Sequence, residues 1–100
     1  MAFSLSLAAL DDMSHIYLEG VRVFGPAQAD EYFDDLYGIY DLLAANPRMG
    51  RENETVRPPI RFFPTGSHIV VYEIGPADDI LILRVRHYRE DWKDDPVGDD

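Results

Sequence analysis

The stretch that decides the fold runs from residue 24 to residue 47 and reads FGPAQADEYFDDLYGIYDLLAANP. Gly25-Pro26 ends one helix and begins another, because proline is tolerated in the first turn of a helix. Asn46-Pro47 ends the second helix, since the residue before a proline is disfavoured in the α region. Between these signals, apolar residues recur at helical spacing: Ala29, Tyr32, Phe33, Leu36, Ile39, Tyr40 and Leu43. The stretch therefore predicts a helix over residues 26–45.

A first helix is predicted upstream of this stretch, over residues 7–24. Ser6 is a good N-cap for it, because a serine hydroxyl can accept a hydrogen bond from a free amide of the first turn. One apolar face is formed at helical spacing by Leu10, Met13, Tyr17, Val21 and Phe24. The alternating segment Phe3-Ser4-Leu5 predicts a short strand before this helix. The two helices, joined by a short turn, should form an antiparallel hairpin.

The second half of the chain predicts a meander of three strands after a polar loop. The loop covers residues 47–59, and the strands cover 60–63, 68–74 and 80–86. Tight turns rich in Pro, Gly, Ser and Asp separate the strands, which favours antiparallel pairing. The fold class is therefore α+β, in the order β-α-α-β-β-β, with the helical hairpin packed on one face of an antiparallel-rich sheet. The first strand should lie beside the later ones.

The chain is expected to form one domain over residues 1–93, followed by an acidic flexible tail over residues 94–100. One hundred residues are enough to close a single hydrophobic core. There is no cysteine, which excludes disulfides, thiolate metal sites and cysteine nucleophiles. No signal peptide or long apolar run is visible, so we expect a soluble, cytoplasmic protein.

Charge is distributed unevenly along the sequence. The net charge is −10, and residues 1–46 carry eight acids and a single base, Arg22. All eight other bases lie between residues 47 and 93. Because phosphate binding depends on a high density of cations, such a chain is a poor general binder of nucleic acids.

Metal, cofactor and phosphate sites are not indicated by the sequence. The three histidines, His15, His68 and His87, are scattered, which makes a poor metal site. Five pairs of adjacent aspartates occur, but neighbouring residues of a helix do not converge on one point, so we interpret them as solvated surface. The seven glycines are dispersed and form no phosphate-binding loop.

Short motifs in a fixed order carry a family resemblance. They are Ser6–Met13, Phe24-Gly25 with Ala29 and Tyr32, Leu43-x-x-x-Pro47-x-x-Gly50, Arg61 with Gly66, His68 and Tyr72, and Arg84–His87 followed by Asp91-Trp92. Together they resemble the ParE toxin family of the RelE/ParE superfamily, across nearly all of residues 3–92. The acidic composition and Pro58-Pro59 depart from the usual pattern of that family.

The resemblance implies a toxin of a type II toxin–antitoxin system that inhibits DNA gyrase and is not an enzyme. It also implies neutralisation by a ParD-type antitoxin, through which any contact with DNA would be made. We expect the antitoxin to dock on apolar residues of the second helix: Tyr32, Phe33, Leu36, Tyr37 and Tyr40. The residues expected to contact the target are Arg84, Arg86, His87 and Trp92.

A ribosome-dependent mRNA endonuclease of the RelE type is the alternative. Cleavage through the 2′-hydroxyl needs a base, an acid and cations for the developing charge. The candidates for these roles are Arg61, Arg84, His87 and Tyr88. The single lysine and the acidic surface argue against this reading. A purely structural role also remains open, since Arg84 and Arg86 can pair with helix carboxylates, Trp92 can pack on the core, and His68 can be structural.

Overall fold

A computed structural model describes residues 2–53 and 59–89 of the chain. Seven elements follow one another: β1 (Phe3–Leu5), α1 (Leu7–Phe24), α2 (Pro26–Ala45), β2 (Arg51–Asn53), β3 (Ile60–Thr65), β4 (His68–Ile74) and β5 (Ile80–His87). The strands form one sheet in the order β1-β5-β4-β3-β2. β1 runs parallel to β5, and the other neighbours are antiparallel. This confirms the α+β prediction and the place of β1.

Both helices begin and end where the sequence predicts. The hydroxyl of Ser6 accepts a hydrogen bond from the amide of Ala9 at 3.0 Å and donates one to the carbonyl of Leu83 at 2.8 Å. Ser6 thus caps α1 and also joins the helix to β5. Gly25 has a φ of 92°, which a glycine adopts without strain, and this allows Pro26 to begin α2 directly.

The face of α1 that packs inward agrees only in part with the predicted one. Ala9 and Met13 are buried, whereas Leu10 and Phe24 are 46% and 64% exposed. A Cβ on Gly20 would lie 3.3 Å from the Cβ of Ala29, so the two helices approach each other closely there. Small residues line this interface. The predicted face is therefore correct at Met13, with Tyr17 and Val21 half-buried, and wrong at its two ends, Leu10 and Phe24.

The main core lies between the helical hairpin and one face of the sheet. Tyr40 is fully buried there and donates its hydroxyl to the sulfur of Met13 at 3.0 Å. Burial raises the pKa of Tyr40 far above its ordinary value, so the hydroxyl stays protonated and acts as a donor. The other fully buried large side chains of this core are Tyr72, Leu36, Leu43, Ile80, Ile82 and Val70. Ile60 and Val71 are buried in a second, smaller cluster with Ile69.

The polar loop predicted over residues 47–59 is wrong in one part, because Arg51–Asn53 form strand β2 beside β3. The buried hydroxyl of Tyr72 donates to the carbonyl of Pro47 at 2.6 Å and accepts from the amide of Gly50 at 3.0 Å. Arg61 donates to the carbonyl of Gly50 at 2.7 Å. These long-range bonds hold the preceding turn against the sheet. They impose the strand on three polar residues that have no strand pattern of their own.

The predicted strands 60–63 and 80–86 also extend further than expected, to Thr65 and His87. Pro64 lies inside β3 but beyond Ile60–Phe62, the residues that pair with β2. Proline is tolerated at such an open edge, where no ladder bond is required from its nitrogen. The predicted tail over residues 94–100 lies outside the described residues.

Substitution of Gly50 by alanine should destabilise the fold. A Cβ at this position would lie 2.6 Å from the hydroxyl oxygen of Tyr72 and 2.9 Å from the carbonyl oxygen of Phe62. We expect the free energy of unfolding in urea to fall by about 2 kcal/mol, as for other overpacked sites. Gly38→Ala is the control, since nothing lies within 4 Å of its Cβ position on α2. It should raise stability by roughly 0.5–1 kcal/mol, and equal effects of the two substitutions would contradict this account.

Candidate functional site

Arg84 is held in an ion pair with Asp12 on α1. Its Nε lies 2.7 Å from Asp12 Oδ2 and its Nη2 lies 2.9 Å from Oδ1. Asp12 Oδ2 also accepts the backbone amide of Val85 at 2.9 Å. The two charged side chains are only 14% and 13% exposed. Arg84 therefore joins the start of α1 to β5, and little of its guanidinium is left for a target or a scissile phosphate.

Arg61, the second arginine of the nuclease alternative, is also occupied within the fold. Besides Gly50, its guanidinium contacts the carbonyl of Arg48 at 3.2 Å and the carboxylate of Glu52 at 3.7 Å. Arg61 lies opposite Tyr72 in the sheet, whereas His87 lies opposite His68.

Tyr72 and His68, which lie opposite Arg61 and His87, are four residues apart along β4, or about 13 Å in an extended strand. The structure therefore does not gather the four nuclease candidates, Arg61, Arg84, His87 and Tyr88, at one point. His87 and Tyr88 alone are adjacent.

A row of four aromatic side chains connects α2 to the end of the sheet; we call it the aromatic row. The hydroxyl of Tyr32 lies 2.7 Å from Nδ1 of His68 and accepts the amide of Ser67 at 3.2 Å. The His68 and His87 rings are 5.3 Å apart, and the His87 ring stacks on Tyr88 at 4.9 Å. Burial raises the pKa of Tyr32, so its hydroxyl stays protonated.

The sequence did not predict this pairing of histidines. His68 and His87 are 19 positions apart, and they become neighbours because β4 and β5 are paired antiparallel. The one sequence signal for this contact was the predicted antiparallel pairing of the strands over residues 68–74 and 80–86. Such pairing brings the start of the first strand beside the end of the second.

A groove of about 380 Å³ opens beside the aromatic row, between the turn of the hairpin and the ends of β4 and β5. Apolar residues of the helices line it, among them Ile16, Val23 and Ala29. Tyr32, His68 and His87 form its sheet-side wall. Three carboxylates, those of Glu19, Glu31 and Asp35, also line it. The groove is therefore apolar with an acidic margin.

The five residues of α2 expected to bind an antitoxin differ in exposure. Leu36 and Tyr40 are buried in the core and offer no surface to a partner. Tyr32, Phe33 and Tyr37 are partly buried and pack against that core. The ring centroids of Phe33 and Tyr37 are 5.2 Å apart. Most of the apolar area of α2 is therefore used within the fold.

Surplus apolar surface lies instead on α1, in a stripe that we call the leucine stripe. It consists of Leu7, Leu10 and Leu18, of which Leu7 is 86% and Leu18 64% exposed. Their spacing of three and eight residues places them on one side of the helix. Beside Leu18 runs a shallow depression lined by Ser14, Tyr17, Asp30 and Phe33. The spacing of these leucines is visible in the sequence. Leu10, however, also belongs to the apolar face that the sequence predicts to pack on the core.

Besides Arg84, the residues predicted to contact the target are Arg86, His87 and Trp92. Arg86 is partly buried on β5, opposite Ile69, and His87 lines the groove. Trp92 lies outside the described residues.

No three histidine or acidic side chains gather as metal ligands within residues 2–53 and 59–89. In the same part of the chain, neither helix combines the length and apolarity that a membrane span requires.

Comparisons with known proteins give a consistent result. The family model described as ParE toxin of type II toxin-antitoxin system, parDE, matches residues 3–92. Toxin ParE1 of Mycobacterium tuberculosis (strain H37Rv) is 35% identical over 89 residues, which cover 89% of this chain and 91% of the relative. Toxin ParE1 of Caulobacter vibrioides is 32% identical, covering 85% and 86%.

A solved structure shares the fold as well. It is described as the chromosomal ParDE TA system from P. aeruginosa, and it superposes with a TM-score of 0.72 at 25% sequence identity. The match covers 87% of this chain and 95% of the other.

Proposed function

Since the chain belongs to the ParE toxin family of type II toxin–antitoxin systems, we propose that it inhibits DNA gyrase and is neutralised by a ParD-type antitoxin. The observation that carries the antitoxin-binding part of the proposal is the leucine stripe. Exposed apolar residues gathered on one helix face are typical of a protein-binding surface. An amphipathic segment of the antitoxin would cover this stripe and the depression beside Leu18.

The charge of the hairpin supports a protein partner with basic residues. Residues 7–45 carry eight acids and one base. Asp12 is neutralised by Arg84, while Glu31 and Asp35 are exposed on α2. Opposite charge on the antitoxin would accelerate association and fix its orientation on the hairpin. The same acidic surface repels phosphates, so any contact of the complex with DNA would be made by the antitoxin.

Inhibition without catalysis is the part of the proposal that the arginines support. Arg84 and Arg61 are engaged with Asp12 and with the turn before β2. A nuclease would need such cations free to stabilise the charge of the transition state. The aromatic row favours the nuclease alternative in one respect, since His87 and Tyr88 are adjacent groups able to transfer a proton.

Induced expression of the chain in a bacterial host tests the proposal. We expect growth arrest with induction of the DNA-damage response, because poisoned gyrase leaves broken DNA. The action would take place in the cytoplasm, where the chromosome lies. Co-expression of the ParD-type antitoxin from the neighbouring gene should restore growth. Arrest with cleaved mRNA and intact DNA would support the nuclease instead, and unimpaired growth would contradict both.

A further inference from the structure

The groove beside the aromatic row has features that the leucine stripe lacks. It lies on the opposite side of α1, and its lining includes Glu19, Val23, Glu31 and Asp35 but none of the three leucines of the stripe. Its apolar lining continues outward to Phe24, which is largely exposed. The groove is therefore a second surface of the hairpin, with its own chemistry.

Charge in the groove is unbalanced within the described residues. Glu31 and Asp35 are four residues apart on α2, so the two carboxylates are neighbours and repel each other. Neither of them forms an ion pair with another described residue, whereas Glu19 is paired with Arg22. A cationic side chain placed between the two carboxylates would relieve the repulsion.

The wall of the groove is formed by the rings of Tyr32, His68 and His87. The hydroxyl of Tyr32 lies 2.7 Å from Nδ1 of His68 and also accepts the amide of Ser67, and the tautomer of His68 sets which of the two side chains donates. The groove thus combines an apolar lining, suited to a methylene chain, with carboxylates suited to a cationic head group.

We propose that this groove binds a basic side chain, an arginine or a lysine, of the antitoxin. The stem of that side chain packs on Val23 and Phe24, and its head group bridges Glu31 and Asp35. The inference rests on the proposed function for the identity of the partner, and it adds a second, charge-specific contact to the leucine stripe. Through it, the acidic groove selects among antitoxins by the position of one basic residue.

Other occupants of the groove fit its charge less well. A second copy of this chain has a net charge of −10 and would be repelled. Residues 90–100 of the chain itself contain six acids and only one base, Lys93. A basic residue of the antitoxin is the occupant that complements the carboxylates.

The test is a titration of the purified antitoxin from the neighbouring gene with the double variant Glu31→Lys, Asp35→Lys. Charge reversal in the groove should weaken binding by roughly 30-fold or more, with a larger effect at low salt. The control, Asp34→Lys with Asp41→Lys, makes the same change of net charge on exposed positions of α2 that do not line the groove. The control variant should bind the antitoxin several-fold more tightly than the groove variant does.

Replacing the basic residues of the antitoxin by glutamate, one at a time, completes the experiment. One of these changes should restore affinity for the groove variant and weaken binding to the original chain. Equal affinity of groove and control variants would overturn the inference while leaving the proposed function intact. The inference would also be overturned if the original chain self-associated while the groove variant was monomeric. A second copy of the chain would then be the occupant of the groove. No binding of the antitoxin to the original chain would instead overturn the proposed function.

Discussion

Replacing Asp12 with alanine should lower the free energy of unfolding by about 3–5 kcal/mol, the range expected when one partner of a buried ion pair is removed. The guanidinium of Arg84, which is 14% exposed, would lose both its hydrogen bonds to the carboxylate. The backbone amide of Val85 would lose its acceptor as well. Urea denaturation of the purified chain, followed by circular dichroism, measures the effect.

Asp11→Ala is the matched control for this prediction. Asp11 is the same residue type at the adjacent position, but its side chain is 72% exposed and is 3.5 Å from an equally exposed His15. Exposed pairs of this kind contribute about 0–1 kcal/mol. A loss of stability that is the same for both variants would contradict the structural role of the Asp12–Arg84 pair.

The second large effect is expected on binding rather than on folding. The double variant Leu7→Ser, Leu18→Ser removes the two most exposed side chains of the leucine stripe. If the antitoxin covers the stripe, its dissociation constant should rise roughly 100-fold, as for central apolar contacts of other interfaces. Stability should change little, because both leucines are already in contact with solvent. Isothermal titration calorimetry with the antitoxin gives the dissociation constant.

Leu42→Ser controls for the general loss of an exposed leucine. Leu42 is 43% exposed near the end of α2, a helix that contributes no residue to the stripe. Its substitution should leave antitoxin affinity within a few-fold of the original. An unchanged affinity of the stripe variant would show that the antitoxin docks elsewhere on the toxin.

The elements were predictable because their signals are local. Gly25-Pro26 and Asn46-Pro47 mark helix ends through the backbone limits of glycine and proline, and the structure places the boundaries of both helices there. β2 was not predictable, because Arg51–Asn53 become a strand through contacts made by Tyr72 and Arg61, far along the chain. Ala9 and Gly20, on the packed face of α1, were missed because they are small.

The candidate residues illustrate the same limit. Arg84 carries charge and alternates with Val85, so its sequence position suits a target contact as well as an internal pair. Asp12, its partner, is 72 positions away, and only the tertiary fold brings the two together. The surplus apolar area of α2, inferred from its five large residues, is largely used by the core. Tertiary packing thus moves the proposed antitoxin contact from α2 to the leucine stripe of α1.

The most direct test of the account is a DNA-supercoiling assay with purified gyrase from the host and the purified chain. We predict that supercoiling is inhibited and that cleaved DNA accumulates as the chain is added. Stoichiometric antitoxin should abolish both effects. Undiminished supercoiling with the chain in large excess over gyrase, while its expression still arrests growth, would contradict the proposal that gyrase is the target.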